Sequence, residues 1–212
     1  RDLTGATVGL VGLGGVGRRI AQVLEPFRCR ILATDYFTVD CPPQVAHLGG
    51  PEQLHDMLSQ VDILFLAAPL TPQTDGMIGA EALAAVKPGT ILINVARGRL
   101  VETNALVDAL ERGHLDSAAV DVTAEEPPPA ESPLWTAPRL IITPHVAGQS
   151  KNRIGAMTEF FCDNLSRYLR GGDLVNLVDK RLGFPEPKTR RRETREIRGG
   201  LQECGQKPDD RR

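Results

Sequence analysis

Thr7-Val8-Gly9-Leu10-Val11-Gly12-Leu13-Gly14-Gly15-Val16-Gly17 is the stretch whose reading decides the fold. Thr7 to Val11 reads as a short strand buried on both faces, as the strands of parallel sheets are. A glycine turn follows, then a helix over roughly 16–25 with Val16, Ile20, Val23 and Leu24 on one face, ended by Pro26. A glycine-rich turn alone is a weak signal, because many loops contain one. Context gives it weight: a strand before, a helix after, and Asp35 closing the next strand, Arg30-Ile31-Leu32-Ala33-Thr34-Asp35.

Each glycine then has a physical task. Gly12 permits the tight turn, Gly14 lets backbone approach a pyrophosphate, and Gly17 lets helix pack closely on strand. Unpaired N–H groups and the dipole at the helix start favour the anion. Asp35 lies eighteen residues beyond Gly17, where a carboxylate can accept hydrogen bonds from both adenosine ribose hydroxyls. It would repel a 2′-phosphate, and no arginine follows it directly. NAD is therefore expected as cofactor in preference to NADP; the plainer alternative is a turn-capping aspartate.

Working outward, the pattern alternates. Residues 36–50 are turn-rich, with a scrap of strand around Val45. Glu52–Gln60 reads as a short helix, Val61–Ala67 as a strand, Glu81–Val86 as a helix and Thr90–Asn94 as a strand. Glu102–Arg112 reads as a helix with Thr103 or a neighbour as its cap and Gly113 at its C-terminal end. Ser117–Val122 is a strand, Glu125–Pro138 a proline-rich loop and Leu140–Thr143 the last strand. Such alternation predicts an α/β fold, a doubly wound parallel Rossmann sheet. Ser150–Arg170 reads as one helix with Ile154, Met157, Phe160, Phe161, Leu165, Tyr168 and Leu169 at helical spacing. The expected organisation is a dinucleotide-binding domain over 1–149, an interdomain helix and C-terminal remnant of a substrate domain over 150–184, and a charged, disordered tail over 185–212.

The bulk numbers bound the partners. The chain has 212 residues, 41% hydrophobic and 25% charged, with a formal net charge of -2. That composition is ordinary for a soluble globular protein and gives no electrostatic reason to expect nucleic acid or an anionic membrane. Cys29, Cys41, Cys162 and Cys204 form no CxxC pair, so reduced thiols and no metal site are expected. No apolar run approaches the ~20 residues of a membrane span, and a cytoplasmic protein is the expectation.

A cofactor site does not name a reaction. Three further residues fall just past strand ends, where open α/β sheets bind ligands. Arg97 follows Ile91-Leu92-Ile93-Asn94-Val95-Ala96, Glu126 lies in the loop after Asp121-Val122, and His145 follows Thr143-Pro144. Singly each has a plain reading: a surface ion pair, a solvated loop residue, a structural histidine. Together they suggest chemistry.

The sequence resembles the D-isomer-specific 2-hydroxyacid dehydrogenases from about Leu3 to Phe184. The resemblance rests on Thr7–Arg18, Ala68-Pro69-Leu70-Thr71-Pro72-Gln73-Thr74, Met77-Ile78, Lys87-Pro88-Gly89 and Ile93–Gly98. It continues through Ala105–Leu110, Asp121-Val122, Glu126-Pro127 and Thr143-Pro144-His145. It implies that His145 is the acid/base, Glu126 its orienting partner, and Arg97 the group that binds the substrate carboxylate and polarises the carbonyl. Asp121 would hold the nicotinamide carboxamide. Gly15, Val16, Asp35, Ala68, Pro69, Thr74, Val95, Ala96 and the turn from His145 to Gly148 would line the rest of NAD. The substrate would be a small 2-hydroxyacid or 2-oxoacid, and a homodimer is implied by the resemblance only.

Two departures stand out. The family's Leu-His-x-Pro motif reads Leu66-Ala67-Ala68-Pro69, a variation near the cofactor. The family's N-terminal substrate domain has no counterpart in this sequence, so this chain is expected to bind NAD but turn over poorly by itself. Two other readings keep the cofactor and change the role. One is an NAD-responsive corepressor of the same fold; the other is the NAD domain of an S-adenosylhomocysteine hydrolase type, which the Arg-Gly, Glu-Pro and Pro-His motifs disfavour.

Overall fold

The computed structural model describes residues 2–38 and 40–189. Strands β1 (Thr7–Val11), β2 (Arg30–Thr34), β3 (Val45–Gly49), β4 (Ile63–Leu66), β5 (Thr90–Asn94), β6 (Leu115–Val120) and β7 (Leu140–Ile142) form one sheet in the order β3-β2-β1-β4-β5-β6-β7. Every neighbouring pair runs parallel. The order reverses between β1 and β4, and ligands of open α/β sheets bind in the crevice at that point.

The helices are α1 (Gly15–Leu24), α2 (Leu54–Leu58), α3 (Ala80–Ala85), α4 (Thr103–Glu111) and α5 (Arg153–Leu169). On one face of the sheet α2, α3 and α4 pack through Leu58, Leu83, Leu106 and Leu110 onto Leu64, Leu66 and Leu92. On the other, α1 covers β1 and β2, where Leu10, Ala21, Leu24 and Ile31 share a second core. The apolar runs of β1 and β4 follow from burial on both faces.

Several elements differ from the sequence reading. Val45 begins a full five-residue strand, not a scrap. Its signal is weak because β3 is an edge strand whose pairing with β2 shifts register between Ile31 and Leu32. The expected helix over 52–60 is shorter, a 3-10 turn at Pro51–Gln53 followed by α2. The strand expected from Ser117 starts at Leu115. The N-cap of α4 is Glu102, the neighbour of Thr103, and it makes no side-chain cap.

Helix α1 buries only part of the face its aliphatic spacing predicts: Leu24 is buried and Ile20 packs against the core. Gly17, Ala21 and Leu24 are buried, while Val16 and Val23 are more than half exposed. Small residues at i and i+4 let the helix backbone settle onto the sheet, and Val16 and Val23 are left outward. Along α5, Ile154, Met157, Phe161, Tyr168 and Leu169 are all exposed, and none of its residues is buried. The stretch expected to be a tail from 185 begins in ordered structure, with a short strand at Phe184–Pro185 and a 3-10 turn at Pro187–Thr189. Its remainder, 190–212, lies outside the described residues.

Candidate active site

The glycine turn closes onto neighbouring backbone at both ends and stays open in the middle. Gly12 has φ +96, and a Cβ there would come within 2.8 Å of the Ala67-Ala68 peptide at the end of β4. A Cβ on Gly17 would meet the Gly12 carbonyl oxygen at 2.1 Å, so helix and turn touch through glycine alone. Around Gly14 and Gly15 a Cβ would meet nothing within 4 Å. Gly14 caps α1 with no side-chain hydrogen bond, and no acidic residue stands in the first turn. A helix N-terminus left bare beside open space fits an anionic pyrophosphate.

Asp35 ties this turn to β2. Its Oδ2 accepts the Leu13 N–H at 2.6 Å and its Oδ1 accepts the Phe37 N–H at 2.9 Å. The turn-capping and ribose-binding readings are therefore compatible. Each carboxylate oxygen spends one acceptor site on backbone and keeps capacity for a hydroxyl. Gly12 completes the junction by donating its N–H to the Thr34 carbonyl at 2.8 Å.

A cleft of about 1480 Å³ runs along the C-terminal ends of β1, β2, β4 and β5. Of the residues expected to hold the cofactor, Gly12, Gly14, Gly15, Val16, Asp35, Ala68, Pro69, Thr74, Val95 and Ala96 line it, and so does Arg97. Gly17 lies beneath it as a packing residue, while Asp121 and Gly148 belong to the neighbouring β6 and β7 loops. Thr74 is committed to its own loop: its hydroxyl donates to the Pro69 carbonyl at 2.7 Å and accepts the Thr71 N–H at 2.8 Å.

Arg97 is delivered by a turn that Asn94 builds. Asn94, buried at the end of β5, accepts the Ala96 N–H and donates to the Arg97 carbonyl, both at 3.0 Å. The Arg97 guanidinium donates to the Ala96 carbonyl at 2.7 Å. Next to it, a Cβ on Gly98 would fall within 2.4 Å of the Thr123-Ala124 peptide, so this turn rests directly on the loop after β6.

That loop carries Glu126, which faces His145. Glu126 Oε2 and His145 Nδ1 are 2.7 Å apart, and Oε1 accepts the Thr123 N–H at 3.2 Å. Glu126 and His145 therefore form a pair, with Arg97-Gly98 abutting through Thr123. His145 has φ +55, an uncommon conformation for a bulky residue. Asp121 over-determines it. The Asp121 carboxylate accepts Thr143 Oγ1 at 2.5 Å, the Val146 N–H at 2.9 Å and the Ala147 N–H at 2.8 Å. Its carbonyl accepts the His145 N–H at 2.8 Å. Burial pushes the Asp121 carboxyl upward. The hydrogen bonds from Thr143, Ala147 and Val146, with the charge of His145, outweigh burial and hold it below the ordinary carboxylate range.

The sequence reading missed Asn94, Thr123 and Thr143. Asn94 left one trace, a polar residue ending the otherwise apolar Ile91-Leu92-Ile93. Thr143 left only its place in Thr143-Pro144-His145, and Thr123 left none. Among the described residues, no group of three or more His, Cys, Asp or Glu side chains could hold a metal ion.

The profile of the NAD-binding domain of the D-isomer-specific 2-hydroxyacid dehydrogenases matches residues 1–147. The chain belongs to this family. It is 40% identical over 172 residues to glycerate dehydrogenase from Methylorubrum extorquens, covering 80% of the chain and 52% of that enzyme. It is 38% identical over 177 residues to mitochondrial formate dehydrogenase from Solanum tuberosum, covering 81% of the chain and 45% of the relative. Among solved structures, the D-isomer-specific 2-hydroxyacid dehydrogenase of Xanthobacter autotrophicus Py2, in complex with NADPH and MES, superposes with a TM-score of 0.80 at 35% identity. It covers 87% of this chain and 75% of that one. D-lactate dehydrogenase with NAD+ from Lactobacillus jensenii gives a TM-score of 0.71 at 31% identity, with 85% and 57% covered. The chain spans about half the length of the curated relatives it matches. It is an NAD-binding domain with a Rossmann fold, from a family of NAD-dependent oxidoreductases.

Proposed function

We propose that this chain supplies the cofactor-binding half, and the acid/base, of a dehydrogenase that interconverts a D-2-hydroxyacid and its 2-oxoacid. One observation carries the reading: the 2.7 Å pair of His145 and Glu126 at the C-terminal edge of the sheet, on a turn clamped by Asp121. NAD bound in the cleft supplies the hydride acceptor. Asp35 holds the adenosine ribose and favours NAD over NADP. His145 takes the substrate hydroxyl proton at Nε2 in oxidation and returns it in reduction. Glu126 accepts the hydrogen bond of the Nδ1–H, fixing the tautomer and stabilising the imidazolium. Arg97 pairs with the substrate carboxylate and polarises the reacting carbonyl. Asp121, besides clamping the turn, receives the nicotinamide carboxamide.

The rest of the reading follows the resemblance. Residues 1–149 form the cofactor domain, α5 leads toward a substrate domain, and the protein is a cytoplasmic homodimer acting on a small molecule. A net charge of -2 supports neither nucleic acid nor an anionic membrane as partner. No helix among the described residues is long and apolar enough to cross a membrane.

His145→Ala tests the assignment in the enzyme that carries this chain. Acid/base transfer is worth about 10²–10⁴ in rate, so kcat should fall by that factor with the NAD Kd unchanged within about twofold. A variant that loses NAD binding, or keeps its kcat, contradicts the role given to His145.

A further inference from the structure

The cleft has a second wall, built from the C-terminal segment. Asn164 of α5 pins the chain as it leaves the helix, accepting the Val175 N–H at 2.9 Å and donating to the Val175 carbonyl at 3.0 Å. Strands β8 (Val178–Asp179) and β9 (Phe184–Pro185) then pair antiparallel, Asp179 opposite Phe184. The Asp179 carbonyl closes the hairpin turn by accepting the N–H groups of Leu182 and Gly183, and Gly183 adopts φ +82. The Thr189 hydroxyl donates to the Leu177 carbonyl at 3.3 Å. The hairpin is thus a built unit with a fixed register.

That register presents Phe184 to the residues directly after Asp35. The Phe184 ring lies 5.8 Å from Tyr36 and 6.0 Å from Phe37, edge-on to both, and those two rings are 5.0 Å apart. Phe37 is the residue whose N–H binds Asp35, so the three rings gather at the ribose-binding carboxylate. Residues 181–185 of the hairpin and Tyr36 all line the cleft. At about 1480 Å³ the cleft exceeds the ~300–1000 Å³ of ordinary small-ligand pockets. The hairpin therefore walls the cleft without filling it.

We propose that Phe184 is a cofactor-binding residue, forming with Tyr36 an aromatic wall for the adenine ring, so that the hairpin clasps the dinucleotide at its adenosine end. The proposal rests on Asp35 marking that end. Adenine offers two apolar faces, and Tyr36 is 59% exposed, leaving aromatic surface for a base to cover. Nothing in this arrangement concerns the nicotinamide or the substrate, so the clasp acts on affinity for the adenylate portion.

The test is calorimetric titration of the 212-residue chain with NAD and with ADP-ribose. Base–aromatic stacking corresponds to about 5- to 150-fold in affinity. Phe184→Ala should weaken both ligands by the same factor, on the order of tenfold, and Phe184→Trp should restore most of it. Tyr36→Ala lies outside the hairpin and should also weaken both ligands. The double variant should lose less than the product of the two factors, because both rings serve one base. Unchanged affinity in Phe184→Ala overturns the proposal, and tighter binding overturns it too by showing that the hairpin competes with the nucleotide. If Phe184→Ala fails to fold, Tyr36→Ala and Phe184→Trp decide: affinity lost in the first and held in the second supports the clasp, and any other pattern refutes it. A parent chain that binds neither ligand overturns the cofactor cleft and the clasp together, whereas binding that ignores Phe184 overturns the clasp alone.

Discussion

Asp121→Asn tests the clamp on the histidine turn through the stability of the chain without cofactor. In the parent chain Asp121 Oδ1 receives Thr143 Oγ1 and the Val146 N–H, while Oδ2 receives the Ala147 N–H. An asparagine keeps one acceptor oxygen for the first two donors and turns an NH2 group toward the third. One charge-assisted bond, worth about 1.5–3 kcal/mol, is lost, and the two that remain become neutral and weaker. A total near 3 kcal/mol is expected at pH 7, or roughly 6–12 °C in Tm for a chain of this size. The sign of the pH dependence follows from the folded carboxyl lying below its ordinary value. Its contribution is complete above the unfolded pKa of about 3.9 and is lost as pH falls through the folded one. Urea denaturation of both proteins at pH 7 and near pH 3 should therefore show a gap that is wide at neutral pH and narrower in acid. Equal stability at pH 7, or a gap that stays constant with pH, would refute the clamp.

Other substitutions divide the glycine turn and the strand ends by role. Gly17→Ala should destabilise the chain by several kcal/mol in thermal melts, because its Cβ has no room against the Gly12 carbonyl. Gly14→Ala meets open space; its Tm should hold within about 2 °C while NAD binding by calorimetry weakens at least about tenfold, since the methyl stands where the pyrophosphate approaches. Asn94→Ala strands the buried Ala96 N–H, at about 1–3 kcal/mol, while the Arg97 carbonyl keeps the Leu100 N–H as its donor. Chemical denaturation should register that loss, and kcat/KM should fall as Arg97 loses its fixed turn.

The legible part of this protein was the part that repeats. Strands β1 and β4 are almost wholly buried and β5 nearly so, and all three announce themselves as apolar runs, while glycines at 12, 14 and 17 name their own geometry. Strand β3 was nearly invisible because an edge strand with a register shift has neither a full apolar run nor clean alternation. The packing face of α1 is only half legible for a related reason: hydrophobic spacing points to Ile20 and Leu24, which do pack, but not to Gly17 and Ala21, which share the contact. In the site, Arg97, Glu126 and His145 were visible as polar residues past strand ends. The side chains that position them were not, since a buried asparagine or threonine bonded to backbone has no sequence period. The Phe184 contact was out of reach for another reason. It joins residues roughly 150 positions apart through an aromatic cluster, and nothing local signals it.

The most direct measurement is NADH formation by the enzyme carrying this chain, followed by absorbance with D- and L-enantiomers of a panel of 2-hydroxyacids. NADH is expected from D-enantiomers, with little from their L-counterparts, and its loss is expected in His145→Ala. NADH from neither enantiomer across the panel, or equal rates with both, would contradict the proposed reaction.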